Sequence, residues 1–262
     1  MPTESENVTD RLDALHVPPD FRDFAKDLYK SRLVQSQVLD EELRGYWEQE
    51  ATILAPHGFD YKKGVCERLI EKHLLTRLQA DHIAQGKLDD LLYEGGYVLE
   101  YLIKRGGMSE VYIARDRMTG QRVALKLRTA GGVGAFVETS AKADALRATC
   151  VDGGGVNKES LRSSMFVEGR MQAELGGAAG NRRILAVEKM HRANDEDASG
   201  RDYLLLKLAN AGAIKRLIDS EEDYTDAMVT DLALSATLTH KIQRGDLTPE
   251  EAYADFYDIV CC

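Results

Sequence analysis

The chain has 262 residues, 44% of them hydrophobic, which is enough for one large or two small cores. Its net charge of -10 argues against a nucleic-acid partner, because neutralising phosphates requires clustered Lys and Arg. No run approaches the ~20 apolar residues of a membrane span, and the polar, acidic N-terminus lacks the apolar core of a signal peptide. Four cysteines (Cys66, Cys150, Cys261 and Cys262) show no disulfide or metal spacing, so we expect a cytoplasmic protein.

A helical domain is predicted over residues 20–92, after a polar leader at 1–19 that we expect to be disordered. Apolar residues recur at helical spacing in two blocks, one from Phe21 to about Glu50 and one from Val65 to about Leu92. The two blocks resemble each other at an offset of 41 positions, which is a weak internal repeat.

Three strands joined by two short turns are predicted next. Alternating apolar residues indicate the first strand, and two aliphatic runs indicate the second and third. The strands cover residues 97–103, 111–114 and 122–127, and the turns are Gly106-Gly107 and Met118-Thr119-Gly120.

These residue types suit a nucleotide. Gly106 and Gly107 would let backbone N–H groups approach phosphates, because glycine has no Cβ. Val111 and Ala124 would leave an apolar slot for a purine, and Lys126 would place an ammonium on the phosphates. An ordinary meander with a buried aliphatic strand and a lysine that reaches solvent is the alternative.

With its A-R-D and V-A-L-K segments, this stretch resembles the N-terminal lobe of a protein kinase, most closely the bacterial eukaryote-type Ser/Thr kinases. The family loop reads G-x-G-x-x-G, but here Lys104 stands at its first position and Ser109 at its third. We expect Lys104 to crowd the sugar side of the nucleotide. The resemblance assigns to the ATP site Ile103, Lys104, Arg105, Gly106, Gly107, Met108, Ser109, Glu110, Val111, Ala124, Lys126, Leu206, Lys207 and Ala209.

The resemblance also implies an acidic partner for Lys126, which would orient the lysine by a charge-assisted bond. Glu168, in a predicted helix over 165–175, is the expected partner, and Glu174 is the second choice. An insertion at about 130–164 separates this helix from the lysine strand, so an exposed helix carboxylate is the alternative for Glu168. Lys126 and Glu168 are therefore the candidate catalytic residues.

Two further strands are predicted at 183–187 and 202–208, and the second runs into the hinge of the kinase resemblance. By position Leu206 resembles the gatekeeper and residues 207–211 the hinge. Helices are expected from Ala213 onward, and Thr248 with Glu251 forms a capping-box pattern.

The expected fold class is α+β. A kinase-like N-lobe over 95–212, with an antiparallel sheet and one helix, follows a small all-α domain and precedes helices of an incomplete C-lobe at 213–262.

Catalytic H-R-D and D-F-G segments are not present in this sequence. His191-Arg192 is followed by Ala193, and Asp255-Phe256 by Tyr257, and we interpret both as coincidences. The resemblance implies ATP and Mg²⁺ as cofactors, with the Mg²⁺ ligands outside this chain. His73 and His82 have no carboxylate or cysteine grouping, so no metal site is expected at them.

Three hypotheses follow. The chain is a fragment of an ATP-dependent Ser/Thr protein kinase, inactive alone and with unknown protein substrates. Alternatively it is a pseudokinase-like module that binds a nucleotide or a protein partner. The third possibility is a helical interaction protein with a vestigial lobe.

Overall fold

The structure is a computed structural model that describes residues 13, 19–48, 60–93, 96–106, 109–128, 165–174, 186–192, 202–220, 223–235, 237–248 and 250–251. The chain divides into two compact units, residues 1–93 and 94–262. The insertion expected at about 130–164, the glycine-loop residues Gly107 and Met108, and nearly all of the expected leader lie outside the described residues.

The first unit is helical. It contains α1 (Pro19–Ser31), α2 (Ser36–Tyr46), α3 (Tyr61–Glu71) and α4 (Arg77–Ala84), then a 3-10 turn (Leu88–Leu91) and a two-residue strand (Leu92–Tyr93). Its core consists of buried residues from all four helices, among them Phe21, Leu28, Leu39, Leu69 and Ile83. An ion pair between Arg68 and Glu42 at 2.8 Å links α3 to α2.

Each of the two predicted helical blocks is in fact a pair of helices. The chain turns at Arg32 and His73, where φ is +52° and +54°, and a left-handed residue ends a right-handed helix. These turns lie 41 positions apart, the offset of the sequence repeat. After the second turn, Thr76 and Gln79 form a capping box that starts α4.

The second unit is built on an antiparallel sheet, so the mixed α+β class holds. Its strands are β1 (Tyr97–Arg105), β2 (Ser109–Asp116), β3 (Arg122–Arg128), β4 (Val187–His191) and β5 (Tyr203–Leu206), in the order β1-β2-β3-β5-β4. The expected turn between β2 and β3 forms, and Asp116 accepts hydrogen bonds from the N–H groups of Met118 and Thr119.

Helices cover one face of this sheet. They are α5 (residues 165–174), α6 (Ala211–Ile218) and α7 (Asp226–Leu234), and α8 (Leu238–Arg244) follows them in the chain. One buried cluster joins β1, β2, β3 and β5 to α5, α6 and α7. This cluster is the core of the second unit.

Two predicted boundaries in the second unit shift. Of the strand expected at 183–187, residues 183–185 lie outside the described residues, and β4 runs from Val187 to His191, where it pairs with β5. The helices begin at Ala211, inside the segment assigned to the hinge. Helix α7 ends at Leu234, and Ser235 forms its C-cap. Thr248 and Glu251 form the predicted capping box.

Candidate functional site

The register of the sheet places the predicted site residues on one face. Directly opposed residues of antiparallel strands point to the same side of a sheet, as do residues two apart on one strand. Lys126 lies opposite Val111 on β2 and Leu204 on β5, and Ala124 lies opposite Ile113 and Leu206. The lysine and the apolar positions therefore share the face that the helices cover.

Lys126 and Glu168 form the expected ion pair. Lys126 Nζ lies 2.6 Å from Glu168 Oε1, although 42 positions separate the two residues. The lysine side chain is 15% exposed and the glutamate side chain 56%, so solvent weakens the attraction and the pair adds little to stability. Its effect is to orient the ammonium group. Glu174, the second choice, lies on the same helix in an exposed position.

Gly169 brings α5 close to the sheet. A Cβ at this position would lie 2.9 Å from Leu204 Cδ2 and 3.1 Å from Met190 Sδ, well inside normal contact distances. Leu204 is also the β5 partner of Lys126. The missing side chain at Gly169 therefore lets the neighbouring Glu168 reach the lysine.

Strands β1 and β2 pair as a hairpin on either side of the glycine loop, down to Arg105 and Glu110. Gly106 N–H donates a 2.8 Å hydrogen bond to Ser109 O, and the described backbone resumes at Ser109. Arg105 lies opposite Glu110 and donates to its carboxylate at 2.5 Å, which raises the pKa of the Arg105 guanidinium. Tyr112 donates to the other carboxylate oxygen of Glu110 at 2.8 Å. Arg105 is thus held by Glu110, while Lys104 beside it is exposed.

Val111 and Ala124, the two residues expected to form an apolar slot, lie on the same face of the sheet. Val111 faces Lys126 across the ladder, whereas Ala124 faces Ile113. Ala124 and Leu206 are 2% and 5% exposed and belong to the buried cluster. Val111, like Lys126, is only partly buried. The phosphate side of the predicted site therefore keeps partial exposure, whereas Ala124 and Leu206 on the purine side are buried within the protein.

The hinge segment includes Asn210, whose side chain connects it to the end of α7. Lys207 is exposed, and its N–H donates to Ala186 O at 2.9 Å, while Ala209 is half-buried. Asn210 follows in the left-handed conformation, with φ of +55°. Its Nδ2 donates to Leu232 O at 2.9 Å and to Ser235 Oγ at 2.8 Å, both at the end of α7.

Sequence reasoning missed Gly169 and Asn210. Glycine inside a helical pattern signals close packing, and asparagine is enriched at left-handed positions, so both residues carried a usable signal. Neither signal identifies the residues that Gly169 and Asn210 contact in the folded chain. Ile103, also assigned to the site, packs against the buried cluster.

Among the described residues, no group of three or more His, Cys, Asp or Glu side chains could hold a metal ion. The residues present there do not fit a Mg²⁺ site. Within the described ranges, no helix has the length and apolar character needed to cross a membrane.

Comparison with known proteins gives no family assignment. The chain matches no protein-family model, and the comparison with curated proteins finds no match.

Proposed function

We propose that residues 95–212 form the nucleotide-binding lobe of an ATP-dependent Ser/Thr protein kinase. The observation that carries this proposal is the 2.6 Å ion pair between Lys126 and Glu168. In kinases a strand lysine contacts the phosphates of ATP and is held by a glutamate of the following helix. The glycine hairpin between β1 and β2 and the antiparallel sheet also support the proposal.

Each residue has a chemical role in this proposal. Lys126 binds the phosphates, because an ammonium is a strong donor to phosphate oxygens, and Glu168 holds it in place. The hairpin backbone at Gly106 lies over the phosphates, where the missing Cβ permits close approach. The edge of the purine meets the backbone at Lys207 and Ala209.

Phosphoryl transfer needs more groups than these. A catalytic Asp must accept the proton of the substrate hydroxyl, and a second Asp must hold the metal. The sequence has no H-R-D or D-F-G segment to supply them. We therefore expect ATP binding no tighter than ~1 mM, about −4 kcal/mol, and no measurable phosphotransfer by this chain alone.

The test compares nucleotide binding by three proteins, namely the parent chain, Lys126→Met and the control Lys189→Met. Lys189 is an exposed lysine of β4 on the same unit, so both variants lose one positive charge. We expect Lys126→Met to weaken ATP binding about tenfold or more, because it removes a charge-assisted hydrogen bond, and Lys189→Met to bind like the parent. Binding is measured by NMR titration, and thermal unfolding checks that each variant folds.

Equal ATP binding by the parent and Lys126→Met would contradict the proposal. Phosphotransfer to a generic acceptor protein that disappears in Lys126→Met would show instead that the chain contains the groups we consider missing.

A second candidate is a pseudokinase-like module that binds a protein partner and no nucleotide. The burial of Ala124 and Leu206 favours it, because a purine cannot contact them in this conformation. Absence of ATP binding by every protein in the comparison would favour this candidate.

A further inference from the structure

Helix α7 packs on β1, on the same face of the sheet as the purine position implied by the kinase resemblance. Val229 and Ala233 of α7 are 0% and 5% exposed, and α7 contacts β1. They belong to the same buried cluster as Tyr101, Ile113 and Ala124 on the sheet. The apolar face around Ala124, where the sequence analysis expects a purine, is therefore already in contact with protein.

Side-chain hydrogen bonds hold the chain near both ends of α7. At its C-terminal end, the Asn210 amide donates to Leu232 O and Ser235 Oγ, at 2.9 and 2.8 Å. Before its N-terminal end, Tyr224 forms a hydrogen bond with the buried hydroxyl of Tyr101. One of these anchors lies on the hinge and the other on β1, the two segments that border the purine position.

Helix α7 itself is short, and it packs on the cluster through Val229, Ala233 and the partly buried Leu232. It has nine residues, below the length at which an isolated helix is stable in water, so its order depends on these contacts. Of its apolar residues Met228 is 45% exposed, whereas Val229 and Ala233 are buried. Loss of the anchors would therefore shift the helix between bound and released states.

We propose that α7 is a displaceable cover of the nucleotide site, held closed by Asn210 and Tyr224. This inference rests on the proposed function, and it adds a regulation of the same site. Purine binding and α7 docking are mutually exclusive, since both require the face of Ile113 and Ala124. The measured dissociation constant for ATP then equals the intrinsic one divided by the fraction of molecules in which α7 is released.

The test uses the whole chain, with MgATP as the probe. Asn210→Gly removes the side-chain bonds and tolerates the positive φ, and Tyr224→Phe removes one hydroxyl and keeps the ring. The control Thr230→Ala lies on α7 but removes only a bond to Ala227 O within the helix. Hydrogen exchange over residues 226–234 reports release of α7, and titration reports ATP binding.

For the double variant Asn210→Gly/Tyr224→Phe we expect exchange in α7 to rise about tenfold or more. The apparent dissociation constant for ATP should fall about tenfold, and adding Lys126→Met should remove that gain. Thr230→Ala should match the parent in both measurements. In the parent, saturating MgATP should accelerate exchange in α7.

Each of the other possible results overturns a specific part of the proposal. Unchanged exchange in the double variant overturns the proposed anchors. Faster exchange with unchanged ATP affinity, in a parent whose binding still depends on Lys126, overturns the cover and leaves the proposed function intact. Faster exchange with no ATP binding at any concentration overturns the nucleotide site itself, and the cover with it.

Discussion

Substitution of Gly169 by alanine separates the packing of α5 from its intrinsic helix propensity. A new Cβ would lie 2.9 and 3.3 Å from the two Cδ atoms of Leu204, and 3.1 Å from Met190 Sδ. Met190 is 40% exposed and has room to move, but Leu204 is fully buried. The helix must therefore move away from the sheet by several tenths of an ångström.

The expected magnitude follows from two opposing effects. Replacing a helical glycine by alanine stabilises by about 0.5–1 kcal/mol. Overpacking a closely packed contact costs about 1–3 kcal/mol. We expect a net loss of about 1 kcal/mol at Gly169, which lowers the melting temperature by about 2–4 °C.

Gly212→Ala is the matched control. Gly212 also lies in a helix, α6, but its nearest outside neighbour would be Arg216 Nη1 at 3.8 Å, an ordinary contact. Only the favourable propensity remains there, so we expect stabilisation by about 0.5–1 kcal/mol. Chemical denaturation of both variants measures the two changes, which should have opposite signs.

A double variant tests the mechanism. Leu204→Val removes both Cδ atoms, so Gly169→Ala/Leu204→Val should lose about 1 kcal/mol less than the sum of the two single variants. A displaced α5 should also weaken the Lys126–Glu168 pair, visible in a crystal structure of Gly169→Ala as a Nζ–Oε separation beyond ~4 Å. Equal stabilisation by both alanine substitutions, or additive effects in the double variant, would refute the reasoning.

Two further predictions concern buried groups. The Glu100 carboxylate is 4% exposed and accepts from Arg122 Nε at 2.6 Å and Arg115 Nε at 2.5 Å. Arg122→Met should lower the free energy of unfolding, measured in urea, by about 1.5–3 kcal/mol. Arg115→Met should lower it clearly less, because the Arg115 side chain is 49% exposed and the Arg122 side chain only 15%. Equal losses in the two variants would contradict this. Burial raises the pKa of the Cys66 thiol to about 12 from 9.0. In a variant whose other three cysteines are replaced by serine, a thiol reagent at pH 8 should therefore react with Cys66 only after the protein unfolds. Because the unfolded thiol ionises first, this group should lower stability as pH rises from about 9 to about 12, and fast labelling of the native protein would contradict its burial.

The sequence by itself determined the features that depend on neighbouring residues. The turn at Met118-Thr119-Gly120 and the capping box at Thr248 form as predicted, because their hydrogen bonds join groups at most three residues apart. Strand alternation predicted β1, β2 and β3 to within a few residues, since the period of two reports which face is buried. The pair of Lys126 and Glu168 was predicted through resemblance to a family, and local pattern alone could not have found a contact over 42 positions.

Only the tertiary structure decided which surfaces meet. The sequence shows that Val229 and Ala233 lie one helical turn apart, but not that they pack against the sheet. The hydrophobic effect has no direction, so an apolar stripe does not specify which apolar surface will cover it. The same holds for Gly169, because only the positions of Leu204 and Met190 show that its missing side chain lets α5 approach the sheet closely. The purine side of the predicted site was expected to be an apolar slot. Its burial in a cluster that includes α7 follows from contacts between residues far apart in the chain, whose geometry exists only after the chain has folded.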